Sequence, residues 1–430
     1  MNVATRLRLL EHARLADVAD SALTRAESKH RTILGAREDA FADLGHRQHA
    51  ASTAGDDYQH AALTLQQTLD TYHQLCDTEL AAAGRRRRAA TAARTAHDHF
   101  AHAWSTAAAG PLGDGGHRTA AERLLDELAS MPPELLRAVS AITVQSSGGK
   151  DSVVVVDRIA TWAMEADCLE KVVVVHADLQ GADWPGVREL AERQARRYGL
   201  RFVTVRSPKT FLSMVEGRGM FPDAQNRLCT ATLKRDEAAK LFTEIAGALN
   251  LDEQAVILNC LGIRAAESPA RRRKRNLAID KRASTRRRLV LTWHPAFDLT
   301  EADIWEQIAS RTLEYHPVYD TNIPRLSCTY CILAPFEVLV EATRLCWLWK
   351  LDTPAAYVDV EQRIGHRFTH KYALADVVAE ARRRQETDGP LTFEPGDAIR
   401  RHVGEQAAAA YLERLGLTRT GYLARFGLVA

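Results

Sequence analysis

Seven residues near the middle of the chain have the types and spacing of a phosphate-binding loop. Residues 146–152 read Ser-Ser-Gly-Gly-Lys-Asp-Ser and follow the apolar run 141–144. The two glycines let the backbone turn sharply and approach a ligand, and a helix that begins just after them presents free N–H groups to an anion. Lys150 adds a positive charge, and Ser147 and Ser152 add hydroxyl donors. The stretch predicts a phosphate site, with an ordinary strand-to-helix turn as the alternative.

Two later segments supply further charges for a nucleotide. Asp178 follows the apolar run 172–175. It could accept from a ribose hydroxyl, face the phosphates together with a metal, or simply cap a loop. Arg264 follows Gly262 at the end of the apolar run 255–259, where the glycine permits close backbone approach. We expect Arg264 to project over the same crevice as the phosphate loop and to bind phosphate.

A third charged segment surrounds a cysteine. Arg227, Lys234 and Arg235 flank Cys229 just before a predicted helix. Charged hydrogen bonds from such cations to phosphate or sulfate contribute roughly 1.5–3 kcal/mol each. The alternative is a set of surface cations on an amphipathic helix.

The cysteines predict a metal or redox role rather than disulfides. There are seven, an odd number in a chain whose N-terminus has no apolar segment of signal-peptide length. Cys328 and Cys331 form a Cys-x-x-Cys pair, which is typical of a redox pair, half a zinc site or half an iron–sulfur site. We expect Cys229 and Cys260 on the same rim of the sheet, so the four could bind an iron–sulfur cluster or, less favoured, zinc. Free thiols or plain packing are the alternative.

The elements that must position these residues alternate between strand and helix from about 118 to 330. Short apolar runs at 141–144, 172–175, 202–205 and 255–259 predict buried parallel strands with helices between them. The pattern indicates an α/β fold with a doubly wound parallel sheet, whose ligands bind at the carboxyl ends of the strands. The predicted organisation is a helical arm (1–108), a linker and lead-in helix (109–137), a nucleotide-binding domain (138–335) and a C-terminal helical region (336–430).

The helical arm and the basic runs predict partners. Residues 1–108 lack proline and read as a helical hairpin or coiled coil, either solvated or in contact with a protein partner or another copy. Arg85–Arg88 in this arm could contact nucleic acid. Ten Lys or Arg residues lie between 271 and 288 and predict a mobile flap that closes on an anionic substrate, touches nucleic acid or is solvated.

Overall composition gives little further direction. The net charge is +2, and no run of about 18 apolar residues occurs. We therefore expect a cytoplasmic enzyme without a membrane partner.

Taken together, the motifs resemble the phosphoadenosine phosphosulfate (PAPS) reductase-like family of the PP-loop superfamily. The segments that carry the resemblance are 147–152, 176–178, Cys229 with 234–235, 262–264 with 267–268, and 316–317 with Cys328 and Cys331. They span about 140 to 335. The resemblance implies a Rossmann-like fold of the adenine nucleotide alpha hydrolase type and a bound adenine nucleotide, either ATP with Mg²⁺ or PAPS.

Two reactions follow from this resemblance. In the ATP-using branch, ATP adenylylates an acceptor and pyrophosphate leaves; in the sulfonucleotide branch, a cysteine attacks the sulfur of PAPS. Those reductases end in a mobile Glu-Cys-Gly segment, whereas this sequence has no cysteine after Cys346. The resemblance is therefore closest to the ATP pyrophosphatase branch.

The expected function is that of an ATP pyrophosphatase-type enzyme that adenylylates an unidentified acceptor in sulfur-related or nucleic-acid-modification chemistry. The alternatives are a PAPS or adenylylsulfate reductase and a nucleotide-binding interaction module without turnover. Expected catalytic residues are Lys150, Asp151, Lys234 and Arg264. The expected nucleotide-binding set is Ser147, Gly148, Gly149, Lys150, Asp151, Ser152, Asp178, Gly262 and Arg264.

Overall fold

The computed structural model describes residues 1–53, 58–107 and 116–428. The chain divides into two compact units, Met1–Leu128 and Ala129–Ala430. The first residues of the predicted linker and lead-in helix (109–137), up to 115, lie outside the described residues. Among the described helices, none is both long enough and apolar enough to cross a membrane.

The first unit consists of helices. Two long ones, α1 (Val3–Ser52) and α2 (Tyr58–Thr106), are followed by α3 (Gly116–Ala129). Helices α1 and α2 run antiparallel, because His30 pairs with Glu79 (3.2 Å) while Phe41 contacts Tyr72 with ring centroids 5.6 Å apart. The helical N-terminal region predicted from the lack of proline is confirmed.

The second unit is built on a six-stranded sheet in the order β3-β2-β1-β4-β6-β5. All neighbouring strands are parallel except β5, which pairs antiparallel with β6. The central strands are rich in valine and isoleucine, which suits strands covered on both faces. The strands are β1 (Ala141–Gln145), β2 (Val172–Asp178), β3 (Arg201–Arg206), β4 (Ala255–Leu261), β5 (Leu277–Ile279) and β6 (Arg288–Trp293).

Helices cover both faces of the sheet. One face packs on α9, whose Phe242 contacts Ile257 and Val290, and whose Leu241 contacts Val173 and Val175. Helices α5 and α6, which follow β1 and β2, pack together on the other face. The predicted doubly wound α/β fold is confirmed, with β5 as an added antiparallel edge.

The remaining helices connect the strands or form the C-terminal region, which is helical as predicted. In the second unit the helices are α4 (Pro132–Ala138), α5 (Lys150–Glu165), α6 (Val187–Arg196), α7 (Phe211–Arg218), α8 (Leu228–Thr230), α9 (Asp236–Leu249), α10 (Pro269–Arg272), α11 (Glu301–Ser310), α12 (Phe336–Leu348), α13 (Thr353–Ile364), α14 (Leu374–Asp388), α15 (Asp397–His402), α16 (Glu405–Leu415) and α17 (Arg419–Ala424).

The basic run 271–288 differs from its prediction. Instead of an irregular flap, it contains the end of α10 and all of β5, and it leads directly into β6. Leu277 is fully buried and lies opposite Trp293 in the sheet. The apolar residues within the run fix it to the sheet edge, and the sequence prediction underestimated them because the charges dominate the composition.

The strand order creates a crevice beside β1. The chain leaves β1 towards β2 and β3, then returns to place β4 on the opposite side of β1. The connections after β1 and β4 therefore diverge at the carboxyl ends of the two strands, where doubly wound proteins bind ligands. The phosphate loop (Ser146–Ser152) and the segment that begins at Gly262 lie at this point.

Candidate nucleotide-binding site

At its centre, the phosphate loop has a backbone conformation and a close contact that only glycine can accommodate. Gly148 has a φ of +71°, in the left-handed region that favours glycine. A Cβ atom there would lie 3.0 Å from Cγ1 of Val187 and 3.1 Å from its carbonyl oxygen. The sharp turn between β1 and α5 therefore depends on this residue.

Hydroxyl groups hold the N–H groups of the loop. The Gly148 N–H donates to Ser146 Oγ (3.3 Å) and the Gly149 N–H to Ser147 Oγ (3.4 Å). The Lys150 N–H, at the start of α5, donates to the Tyr319 hydroxyl (3.1 Å). These contacts to neutral acceptors are long, and a phosphate oxygen is a stronger acceptor for the same donors.

Lys150 is a buried cation at the base of the loop. Only 3% of the residue is exposed, and its Nζ lies 3.6 Å from Asp151 Oδ2 and 3.4 Å from Glu301 Oε1. The ammonium also lies 5.3 Å from the centre of the Tyr319 ring. Burying a charge is costly unless partners compensate, so these contacts hold the ammonium in place.

The connection after β4 contacts the phosphate loop directly. A Cβ atom on Gly262 would lie 3.0 Å from the Ser152 nitrogen and 3.1 Å from the Asp151 carbonyl carbon. Arg264 is 4% exposed, and its Nε donates to Asp151 Oδ1 at 2.5 Å. The structure thus brings together Lys150, Asp151 and Arg264, as expected from the sequence.

Three further arginines, Arg227, Arg271 and Arg325, lie beside this centre. The pKa of Arg271 is lowered, first by burial and then by the charges of Arg325, Arg264 and Arg227, with Asp151 acting in the opposite sense. Four guanidinium groups therefore lie within electrostatic range of one another beside the loop. Such a concentration of positive charge attracts a polyanion.

The roles of Tyr319, Glu301 and Arg325 were missed. All three come from segments far from the loop in sequence, and Tyr319 belongs to the turn that follows His316 and Pro317. The one available signal in the sequence was the segment 315–319, of which only His316 and Pro317 entered the family resemblance.

Asp178 lies at the end of β2 and already has two partners. Its Oδ1 accepts from the Gln180 N–H (2.8 Å), and its Oδ2 accepts from Arg206 Nε (3.0 Å). Burial alone would raise its pKa, but these two contacts outweigh it and the pKa of Asp178 is lowered. The carboxylate is charged and caps the loop after β2. This arrangement agrees with the alternative expectation that Asp178 simply caps a loop.

Lys234 lies with the cysteines rather than with the phosphate loop. Burial lowers the pKa of Lys234, but the negative charges of Cys328, Asp183, Cys229 and Cys331 outweigh burial and raise it. Burial raises the pKa of Cys328 to about 12, opposed by Lys234. The ammonium therefore lies within electrostatic range of Asp183 and these three thiols.

The predicted four-cysteine metal site does not form in this structure. Cys260 pairs with Val144 in the sheet, and strand alternation places it on the face opposite α9. Cys229 and Lys234 immediately precede α9. Burial is the sole cause that raises the pKa of Cys260, with no contribution from another thiol.

The other three thiols lie within electrostatic range of one another but do not surround a single metal ion. Among the described residues, the sulfur atoms of Cys229, Cys328 and Cys331 do not all lie within 4.8 Å of one another. The neighbouring Lys234 ammonium would also repel a cation. A single zinc ion therefore does not fit these three thiols as they stand, and no step below depends on a metal or a cluster.

His316, part of the same family motif, is structural. It is fully buried, with Nε2 donating to the Pro185 carbonyl oxygen (2.8 Å) and Nδ1 accepting from the Val318 N–H (3.2 Å). Burial lowers its pKa to about 4. The ring is neutral and fixes the turn that carries Tyr319.

Comparison with known families agrees with this geometry. The family model described as "Phosphoadenosine phosphosulfate reductase domain" matches residues 141–334, from the start of β1 to the residues just after Cys331. The match covers somewhat less than half of the chain. It includes the whole sheet, the phosphate loop and the arginines around it, and it supports nucleotide binding by this part of the molecule.

Other comparisons add little to this family match. No curated protein matches the chain in sequence. Structural similarity was found to Candida glabrata FMN adenylyltransferase, with 13% identity and a TM-score of 0.33 over 47% of this chain and 61% of that one. Its complex with FAD and inorganic pyrophosphate gives 14% identity and 0.31, and its complex with FMN and AMPCPP gives 13% and 0.33, each over 47% of this chain and 63% of that one. The chain thus spans about three fifths of these proteins, and we draw no functional conclusion from similarity at this level.

Proposed function

We propose that the protein is an ATP pyrophosphatase-type enzyme that transfers the adenylyl group of ATP to an acceptor. The acceptor nucleophile attacks the α-phosphorus, the bond from that phosphorus to the bridging oxygen breaks, and pyrophosphate leaves with the bonding electrons. The proton of the acceptor passes to solvent. Sulfur-related or nucleic-acid-modification chemistry is the expected context.

The observation that carries the proposal is the contact between the phosphate loop and the segment after β4. Gly262 fits against Ser152, and Arg264 bonds to Asp151 beside the buried Lys150. A pyrophosphate group bound on the N–H groups of residues 148–150 would meet both cations at once. This arrangement stabilises the charge that develops on leaving pyrophosphate.

Each residue has a role in this scheme. The loop N–H groups and the Ser147 and Ser152 hydroxyls bind the β- and γ-phosphates. Lys150 and Arg264 neutralise the leaving group, and Asp151 orients Arg264. Mg²⁺ bound to ATP would neutralise further phosphate charge. Positioning and electrostatics supply most of the rate in such reactions at phosphorus, and the proposal names no general base.

The rival reaction, reduction of PAPS, requires a reactive thiolate. The pKa of Cys328 is raised by burial, which makes that thiol a poor nucleophile. Cys229 is the remaining candidate, because it was the cysteine that the sequence analysis placed among cations. A Cys229→Ala variant separates the two reactions.

The experiment follows the fate of ATP in the full-length protein. Mg·ATP labelled at the α- or the γ-phosphate is incubated with thiol, sulfide and nucleic-acid acceptors, and the products are separated. We expect labelled pyrophosphate and an equal amount of AMP or adenylylated acceptor, both lost in Lys150→Ala and retained in Cys229→Ala.

Other outcomes contradict the proposal. Release of inorganic phosphate instead of pyrophosphate would indicate a different cleavage. Turnover of PAPS alone, abolished by Cys229→Ala, would establish the reductase. Nucleotide binding without turnover under any acceptor would indicate an interaction module.

A further inference from the structure

Three side chains from three different helices converge in the first unit. Asp20 lies on α1, His97 on α2 and His117 on α3, and their ligand atoms all lie within 4.8 Å of one another. His97 Nε2 is 2.8 Å from Asp20 Oδ1, and His117 Nε2 is 3.9 Å from Asp20 Oδ2. The two imidazole rings meet edge to face, with centroids 4.7 Å apart.

The buried histidine of this group lacks a hydrogen-bond partner. His117 is 7% exposed, and its Nε2 has none among the described residues although it points towards Asp20. Leaving a buried polar atom unsatisfied typically costs about 1–3 kcal/mol. Within the part of the chain that the structure describes, nothing supplies the partner that this nitrogen needs.

We infer that Asp20, His97 and His117 bind a divalent transition-metal ion, with zinc as the expected occupant. Two imidazole nitrogens and one carboxylate oxygen are a typical donor set for zinc. Ligand atoms of a tetrahedral zinc lie about 3.3 Å apart, given bond lengths of about 2.0 Å. His97 Nε2 lies 2.8 Å from Asp20 Oδ1 and His117 Nε2 lies 3.9 Å from Asp20 Oδ2, on either side of that spacing, so small side-chain rotations would bring the ligand atoms to it.

The fourth position of such a site faces solvent. The side chains of His97 and Asp20 are 44% and 28% exposed, so a water molecule can complete the coordination. Because each protein ligand comes from a different helix, the metal would fasten α1, α2 and α3 together. The proposed role is structural and involves no reaction.

One neighbouring cation must be accommodated. Arg118 Nη2 lies 3.8 Å from Asp20 Oδ2, and its Nε lies 3.2 Å from Asp17 Oδ1. The Arg118 side chain is 64% exposed, so it can keep its contact with Asp17 and leave Asp20 without losing buried contacts. It therefore does not block the site.

The test measures zinc binding to the full-length protein in a Cys328→Ser, Cys331→Ser background, which removes the paired thiols as competing ligands. Zinc alone is titrated against a chromophoric chelator, and Co²⁺ is used for absorption spectra. We expect one equivalent to bind and the cobalt spectrum to show nitrogen and oxygen ligation. Changing an outer residue of a metal site typically weakens affinity about 10- to 100-fold, so loss of a direct ligand in His117→Ala should weaken it by about 100-fold or more.

His99→Ala is the matched control, because His99 is exposed and lies two residues from His97 on α2. It should bind zinc like the parent protein. A second measurement covers variants that fold poorly. Circular dichroism gives the melting temperature of each protein with and without zinc. Zinc should raise it for the parent and for His99→Ala, but not for His97→Gln or Asp20→Asn. Equal zinc affinity in the parent and His97→Gln would overturn the inference.

Discussion

The phosphate-loop crevice and the α1–α2 hairpin carry their positive charges in opposite ways. Lys150 and Arg264 are 3% and 4% exposed and are held by carboxylates, whereas Arg85–Arg88 lie exposed on α2. Burying a cation costs free energy that an exposed one does not. The difference teaches that the burial of the cations, more than their number, distinguishes a binding site from a solvated helix surface.

The glycines of the two regions also differ in how closely other atoms surround them. In the crevice, side chains on Gly148 or Gly262 would meet backbone atoms at 3.0–3.1 Å, whereas Gly35 and Gly45 in α1 have nothing within 4 Å. The second unit thus uses glycine to bring backbones together, and the first unit tolerates it inside a helix. Four predictions can break or sharpen this contrast.

The largest effect is expected for Gly186→Ala, at the start of α6. Gly186 has a φ of +75°, and a Cβ atom there would lie 2.6 Å from the Phe426 Cα. Left-handed strain and overpacking together should lower the free energy of unfolding by about 2–4 kcal/mol. Urea unfolding followed by tryptophan fluorescence measures this, because six of the seven tryptophans lie in the second unit.

Gly181→Ala is the control for Gly186→Ala. Gly181 also has a positive φ, +91°, but nothing lies within 4 Å of its Cβ position. It should cost only about 1 kcal/mol, the strain alone. Equal losses in the two variants would show that the contact with Phe426 is unimportant.

The next effect is a pH dependence from His316. Burial lowers its pKa to about 4, below the value of about 6.5 in an unfolded chain. Its contribution to stability is therefore fully present above pH 6.5 and is lost as the pH falls from 6.5 through 4, amounting to about 3 kcal/mol in total.

Urea unfolding at pH 7.5 and 4.5 measures this loss, and His316→Gln is the informative variant. Glutamine can still donate to the Pro185 carbonyl but does not titrate. The variant should lose less stability on acidification than the parent. Part of the dependence of stability on pH will remain in the variant, because burial also lowers the pKa of His294. An unchanged slope would contradict this account of His316.

A smaller effect is expected at the rim of the crevice. Arg271 is partly buried and interacts with Asp151, Arg264, Arg325 and Arg227, whereas its neighbour Arg272 is exposed. Arg271→Gln should weaken ATP binding about tenfold, or about 1.4 kcal/mol, while Arg272→Gln changes it less than about twofold. Calorimetric titration at two salt concentrations compares them, and equal effects would mean that only net charge matters.

The smallest effect has the opposite sign and lies in the first unit. Gly45 is exposed within α1, with open space around its Cβ position. Gly45→Ala should stabilise the helix by up to about 1 kcal/mol, since alanine restricts the unfolded chain more. Thermal unfolding at 222 nm measures this, and a destabilised variant would indicate a contact that the structure lacks.

The sequence predicted the parts of the molecule that depend on local pattern. The apolar runs identified β1 to β4, and the Ser-Gly-Gly-Lys-Asp-Ser motif identified the loop, because turn, helix start and anion chemistry are encoded in adjacent residues. Arg264 was predicted for the same reason, from a glycine at a strand end.

What depended on tertiary packing was not predicted. Strands β5 and β6 were hidden within and just after a basic run, where few apolar residues decide the structure. Cys260 was expected beside the other thiols, but which face of a strand a residue occupies follows from register. Lys234 was expected at the phosphate because of its charge. Of the groups that act on it, only Cys229 is close in sequence, whereas Asp183, Cys328 and Cys331 come from distant segments.

The central claim is that the crevice beside β1 binds ATP through its buried cations. The most direct test is calorimetric titration of full-length protein, purified without oxygen, with Mg·ATP and separately with PAPS. We expect ATP binding that Lys150→Ala weakens by about 10- to 150-fold, equivalent to roughly 1.5–3 kcal/mol, and that Arg86→Ala leaves unchanged. Binding of PAPS in preference to ATP, or ATP binding that survives Lys150→Ala, would contradict it.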